Sequence, residues 1–334
     1  MRLAISSVLP KRFVQQIPWL AVLGVLVILV PPLVVTSPYV MHLLVLSAIY
    51  TLLASSLNLV MGYSGLLTLG HHAFFGIGAY ASVLLSMQLS FPLWLSIPLG
   101  GVAAALSGSL LSTLLLKLRS AYFVISTIAF AEIMRLVATN WESLTQGPMG
   151  ITGVPTLSKN LPLLSRLDWS PAQKSYFIVA TVCAVAVLFI SRLIASDVGR
   201  ALMGMREAEN LAKSLGIDTR SYALLSVITG TFWAGIAGGL YGHYTQFLSP
   251  DVFYFVLMVS IIIMVLGGGM GTVVGPVLGG VLFTLLPELL RSSDQYRMLI
   301  YGIIIILFAR VAPMGIWAGL QHKINCATEN PFLG

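Results

Sequence analysis

Charge is what this chain has least of. Lys, Arg, Asp and Glu make up 9% of its 334 residues, against roughly 25% in soluble domains. A water-soluble fold with so little charge would have almost no surface to show solvent, so a soluble globular domain is excluded. Cysteine is nearly missing as well. Cys183 sits inside an apolar run and Cys326 in the C-terminal tail, which gives neither a disulfide framework nor a thiolate metal site. No GxxxxGK[ST] loop occurs, so nucleotide binding by this chain is not indicated, and no HExxH or GxSxG marks a hydrolase. Strand-period alternation is absent too, which excludes a membrane barrel.

What remains is apolar. Hydrophobic residues make up 57% of the chain and the mean hydropathy is +0.95. Lipid solvates such a chain and requires helices that satisfy their own backbone. The fold class is therefore all-α, a polytopic membrane helical bundle. Spans are expected near residues 18–35, 39–61, 66–87, 93–116, 121–140, 175–193, 222–246, 252–266, 272–290 and 297–311, about ten crossings of the roughly 20 residues each that a bilayer needs. Starting inside and alternating, this count puts Lys117, Arg119, the stretch from Arg192 to Arg220, Arg310 and Lys323 on the cytoplasmic side, as the positive-inside rule asks. The net charge of +7 is then a topology signal, and no nucleic-acid partner is expected. Residues 1–17 and 313–334 are cytoplasmic ends, 18–312 the membrane domain, 141–174 an extracytoplasmic loop of structured or re-entrant type, and 196–221 a polar cytoplasmic segment.

Three features stand out. Residues 62–80, GYSGLLTLGHHAFFGIGAY, are apolar yet hold five glycines, Gly62, Gly65, Gly70, Gly76 and Gly78, with His71, His72, Phe74 and Tyr80. Residues 267–280, GGGMGTVVGPVLGG, are a second such stretch, with Gly267 to Gly269 read as a flexible turn and Gly271, Gly275 and Gly279 four apart on one face. Glycine lets helices approach closely or lets backbone unwind beside a cavity, so both stretches read as packing seams, as a transport pathway, or as both. Two interrupted stretches in opposite halves also suggest a diverged internal repeat. Adjacent histidines face different ways on a helix and lack a third ligand, so no metal is expected. Third, Glu132 and Arg135 lie three apart inside the fifth span. A charge at a helix centre costs roughly 2.5–3.5 kcal/mol on insertion scales, so the two should pair, with a proton-relay or substrate role as the alternative.

Four blocks in order resemble one family: residues 58–82 (NLVMGYSGLLTLGHHAFFGIGAYAS), 121–155, 199–250 and 265–280. The first is similar to the N-x-x-x-G-x-x-G-x-x-S-x-G-H-x-x-F-x-G-x-G-A-Y signature of the permease subunits of ATP-binding cassette importers for branched-chain amino acids. The second resembles the block that separates the LivM-type subunit from its LivH-type partner. Thr68 stands where the family usually has serine, and Asn210 to Lys213 replace a more regular run.

The resemblance implies no catalysis and no cofactor in this chain. It implies instead a second, LivH-type permease subunit, two ATP-binding cassette subunits, a periplasmic substrate-binding protein and a bacterial inner-membrane location. It further implies that Arg200, Ala201, Met205, Arg206, Glu207, Leu211, Leu215 and Gly216 belong to the helix that docks on the ATPase. The residues agree: 201–214 are good helix formers, Leu202, Met205, Leu211 and Leu215 give an apolar side, and Gly216 is placed as a stop. Arg200 and Arg206 are expected as rim contacts and Glu207 as a capping or salt-bridge partner. A permease for urea, short amides or another amino acid is the alternative within the family, and a stand-alone channel or ion-coupled carrier the alternative outside it.

Overall fold

The structure, a computed structural model, describes residues 37–116, 120–157 and 169–289, with scattered positions at 28, 31, 32, 34, 35, 302, 310, 315–317 and 319. The first and last expected spans, most of both chain ends, Lys117, Arg119 and residues 158–168 of the extracytoplasmic loop lie outside them.

Among the described residues the elements in order are α1 (Pro38–Asn58) with a π-helical turn (Leu59–Tyr63), α2 (His71–Gln88), α3 (Leu93–Leu115), α4 (Ser120–Asn140), α5 (Glu142–Thr145), β1 (Ile151–Thr152), α6 (Pro171–Ala195), α7 (Asp197–Glu207), α8 (Glu209–Ser214), α9 (Thr219–Thr245), β2 (Phe247–Leu248), α10 (Phe255–Gly268) and α11 (Val274–Leu289). Among the described residues, five helices are long and apolar enough to cross a membrane: α1 with its turn, α3, α4, α6 and α9. Shorter apolar helices α10 and α11 stand where spans are expected. The chain is an all-α, multi-pass membrane protein.

The third expected span, 66–87, is corrected. Residues 64–70 are irregular and the helix starts only at His71. The irregular segment is held at depth, where Leu69 N–H reaches Thr127 Oγ1 of α4 at 3.2 Å. Ser64, Thr68 and Gly70 of this segment are buried, whereas Gly65 and Leu67 are exposed.

Helix α9 is the axis of the bundle, packed along α2 and α3, which also pack on each other, while α1 joins α9 to α6 and α11. Glycine makes this possible. A Cβ on Gly78 of α2 would stand 2.2 Å from Gly235 Cα of α9, and one on Gly238 would stand 1.9 Å from the Phe75 carbonyl oxygen. The face of α9 that carries Gly235 and Gly238 is thus a packing surface. Away from it, α3 turns Leu106, Leu110 and Leu114 outward, four apart as a lipid-facing stripe requires.

At the end of the bundle opposite the polar segment, β1 pairs antiparallel with β2, Ile151 against Leu248 and Thr152 against Phe247. His243 fastens the same region. Its Nδ1 lies 3.0 Å from the Pro155 carbonyl and its Nε2 3.0 Å from Ser82 Oγ. A carbonyl can only accept, so Nδ1–H donates and neutral Nε2 accepts from the serine. The loop after α4 is therefore a folded cap tied to α9.

Gly238→Ala is expected to lower stability by about 1–3 kcal/mol, the usual cost of overpacking. Gly204→Ala, where an added Cβ meets nothing within 4 Å on helix α7, should leave stability unchanged or raise it by up to about 1 kcal/mol. Thermal unfolding of both variants in detergent checks the contrast.

Candidate functional site

The polar segment is the least apolar part of the described chain, and its helices divide its hydrophobic residues between two sides. Ala201, Leu202 and Met205 of α7 are buried against the bundle. Leu211 and Leu215 are 61% and 74% exposed. The expected single helix with one apolar side is corrected: Ala208, at φ −155° and ψ 85°, breaks it into α7 and α8. Gly216 does terminate it, at φ +81°, with Ile217 N–H bonding the Ala212 carbonyl at 3.1 Å. Such a left-handed stop is where glycine has no Cβ penalty.

Asp218 then caps α9, and its carboxyl is held below the usual carboxylate range by the Ser221 hydroxyl first, then by the backbone N–H groups of Ser221 and Arg220. Arg200 pairs with Asp197 one turn away. Glu207 is exposed and makes neither a cap nor an ion pair among the described residues.

Arg206 is exposed on α7, and within the chain its Nη1 donates to the Gly62 carbonyl at 2.5 Å. That carbonyl is available because α1 ends in a π turn at Leu59–Tyr63, and the last carbonyls of a helix have no intrahelical partner. The turn is closed by Ser64 Oγ donating to the Val60 carbonyl at 2.5 Å and by Leu66 N–H to the same oxygen at 3.2 Å.

The second glycine stretch arrives at the same place. Gly271, at φ +76°, donates its N–H to Asn58 Oδ1 at 2.8 Å, and Asn58 Nδ2 donates to the Thr272 carbonyl at 2.8 Å. One amide side chain thereby satisfies two backbone groups of the turn between α10 and α11. Side chains are excluded on all sides. A Cβ on Gly62 would lie 2.1 Å from Asn58 Oδ1, one on Gly271 would lie 2.5 Å from Arg206 Nη1, and one on Gly65 would press Arg206 Cγ at 3.1 Å. Gly62, Gly65, Asn58, Arg206 and Gly271 thus form one joint, in which the polar segment grips both glycine breaks.

Other expected positions go elsewhere. Gly271 does not share a helical face with Gly275 and Gly279; those two pack α11 on α10, with a Cβ on Gly279 meeting the Met264 carbonyl at 1.9 Å. Gly267 and Gly268 end α10 rather than forming a flexible turn, and Gly267 lies under the Phe283 ring while Gly268 meets Gly275.

Gly70 abuts Thr127 and Gly76 the Phe253 ring. His71 Nε2 is 2.9 Å from Ser56 Oγ, whose hydrogen goes to the Leu53 carbonyl, so Nε2–H is the donor. Phe74 stacks on Phe130 and Tyr80 on Phe253. Glu132 and Arg135 pair with each other as expected, at 2.6 Å, on the outer face of α4. Asn58 and Thr272 were missed as individual residues. The available signal was an amide inside an apolar helix, four residues before Gly62.

Comparison with known proteins gives a consistent result. The family model described as branched-chain amino acid transport system / permease component matches residues 39–309. The high-affinity branched-chain amino acid transport system permease protein LivM of Escherichia coli K12 is 34% identical over 289 residues, covering 81% of this chain and 68% of that protein. The corresponding LivH protein of the same organism is 26% identical over 292 residues, covering 81% and 92%. A probable LivM protein of Methanocaldococcus jannaschii is 25% identical over 316 residues, covering 80% and 90%. No solved structure matches significantly. With a family match over most of its length and its higher identity to the bacterial LivM proteins, the chain belongs to the branched-chain amino acid transport permease components and resembles the LivM type among them.

Proposed function

We propose that this chain is one of two permease subunits of an ATP-driven, binding-protein-dependent importer of branched-chain amino acids in a bacterial inner membrane. Both of its ends face the cytoplasm. Its partners are a LivH-type permease, two ATP-binding cassette subunits and a periplasmic binding protein. The observation that carries this reading is the Arg206 bond to Gly62. A segment that met water alone would not need to be fastened to the two least regular parts of the membrane domain.

The mechanism follows from what each side chain touches. Leu211 and Leu215 point away from the bundle and offer an apolar grip to an ATPase cleft, with Glu209 and Lys213 paired beside them at 2.7 Å. Closure of the ATPases on ATP displaces α8 and, through the bend at Ala208, α7. Arg206 passes the displacement to the π turn of α1, and Asn58 passes it to the turn before α11. Two spans from opposite halves then move together, as alternating access requires of a unit driven from one side. At the other end, the strand pair and His243 connect the loop after α4 to α9, so a binding protein that docks on this loop pushes on the same axis.

Leu211→Glu with Leu215→Glu should abolish co-purification of the ATPase subunits while the two permeases remain together. Unaffected co-purification would remove the docking role. Arg206→Ala should keep the ATPases bound yet reduce ATP-driven leucine uptake in proteoliposomes by at least about tenfold, the scale of one lost charge-assisted bond. Uptake at the wild-type rate, or uptake in vesicles without ATPases, contradicts the mechanism. Asn58→Ala, which orphans Gly271 N–H and the Thr272 carbonyl, should cost about 1–3 kcal/mol in a detergent unfolding experiment.

A further inference from the structure

Helix α4 carries its ion pair where lipid alone would not accept one. Glu132 lies eight residues from the Asn140 end and twelve from Ser120, or about 12 and 18 Å at the helical rise. Both ends of the helix are therefore too far for the carboxylate to reach bulk water. Yet the pair is not enclosed: the Glu132 side chain is 52% exposed and that of Arg135 24%. Only 22% of the α4 apolar window is buried, the lowest share among the five long spans. Intramembrane charges left open in this way face a water-filled cavity or another protein.

The two groups retain unused bonding capacity on the open side. Arg135 Nε bonds both Glu132 carboxylate oxygens at 3.0 Å and Nη2 bonds Oε1 at 2.6 Å, which leaves Nη1 without a partner among the described residues. The carboxylate oxygens have further lone pairs. The guanidinium sits over the Tyr254 ring, 5.8 Å from its centroid, which fixes its plane. His72 of α2 lies within electrostatic reach of Glu132. Around the pair are the exposed apolar side chains Ile133, Leu136 and Val137.

We infer that Glu132 and Arg135 form a transient binding site for the head group of a zwitterionic α-amino acid on the route through the permease. The substrate carboxylate bonds the free edge of Arg135 and its ammonium bonds Glu132. A single anion or cation on either open side would add an uncompensated charge to a neutral pair inside the membrane. A zwitterion adds one charge of each sign, so the assembly stays neutral. The exposed aliphatic groups beside the pair suit an apolar side chain. This inference rests on the importer reading and adds to it a place where the substrate is held after release from the binding protein.

The test uses the complete reconstituted transporter with L-leucine as probe. Leu136→Cys is placed in a chain carrying Cys183→Ala and Cys326→Ala, and its reaction with a charged, membrane-impermeant thiosulfonate is timed. The cysteine should react, leucine should slow the reaction, and neither isoamylamine nor isocaproate, each lacking one half of the zwitterion, should do so at the same concentration. Adding Glu132→Gln should raise the leucine concentration needed for protection by at least about tenfold, as loss of a charge-assisted bond implies. No labelling, no protection by leucine, equal protection by either half-molecule, or unchanged protection in Glu132→Gln would each overturn the site. Absence of ATP-dependent leucine uptake by the wild-type transporter would instead defeat the importer reading, and the two failures are read separately.

Discussion

The hydrogen bond from Arg206 to the Gly62 carbonyl is the interaction on which the rest of this molecule depends. It ties the polar segment to the end of α1 through a charged group, while at the segment's other end Arg220 Nη2 donates to the Thr113 carbonyl of α3 at 3.4 Å. It requires α1 to end at Tyr63, glycines at 65 and 271 to leave room for the Arg206 side chain, glycine at 62 to leave room for the Asn58 amide, and Asn58 to hold the second turn against the first. Each of these demands a particular residue type, and together they explain why two glycine-rich stretches more than 200 positions apart meet (Asn58 and Gly271 are 213 apart).

Absence of side chains is a structural element here in its own right. In a membrane, helices are not driven together by the hydrophobic effect, so close van der Waals approach must supply the attraction. Gly78, Gly235 and Gly238 let α2 and α9 come within backbone contact, and α9 packs on both α2 and α3. The joint uses the same residue type differently. There, glycine makes room for a long cation and allows the left-handed turn at Gly271, so the same composition signal stands for rigid packing in one place and for a junction in another.

That double use marks the limit of what the sequence alone could tell. Long apolar runs identified α1, α3, α4, α6 and α9, since length and hydropathy decide a span directly. Glu132 and Arg135 were legible as a pair because spacing on one helix settles contact, and Gly216 because a helix stop is a local event. The bond from Arg206 to Gly62 was not legible, because its partner is a backbone carbonyl, which no residue type announces. The break at Ala208 was hidden for a related reason: alanine is the best helix former, so nothing in the residue type signals its extended backbone. The late start of α2 at His71 was hidden because residues 64–70 are apolar enough to pass for span.

Hydrogen–deuterium exchange in the complete transporter, with and without a non-hydrolysable ATP analogue, tests the joint most directly. The account predicts that the segments at residues 59–65 and 269–273 change protection together when the analogue binds, and that Arg206→Ala abolishes the change in both. A change confined to residues 197–216, with neither glycine segment responding in the wild-type protein, would contradict it.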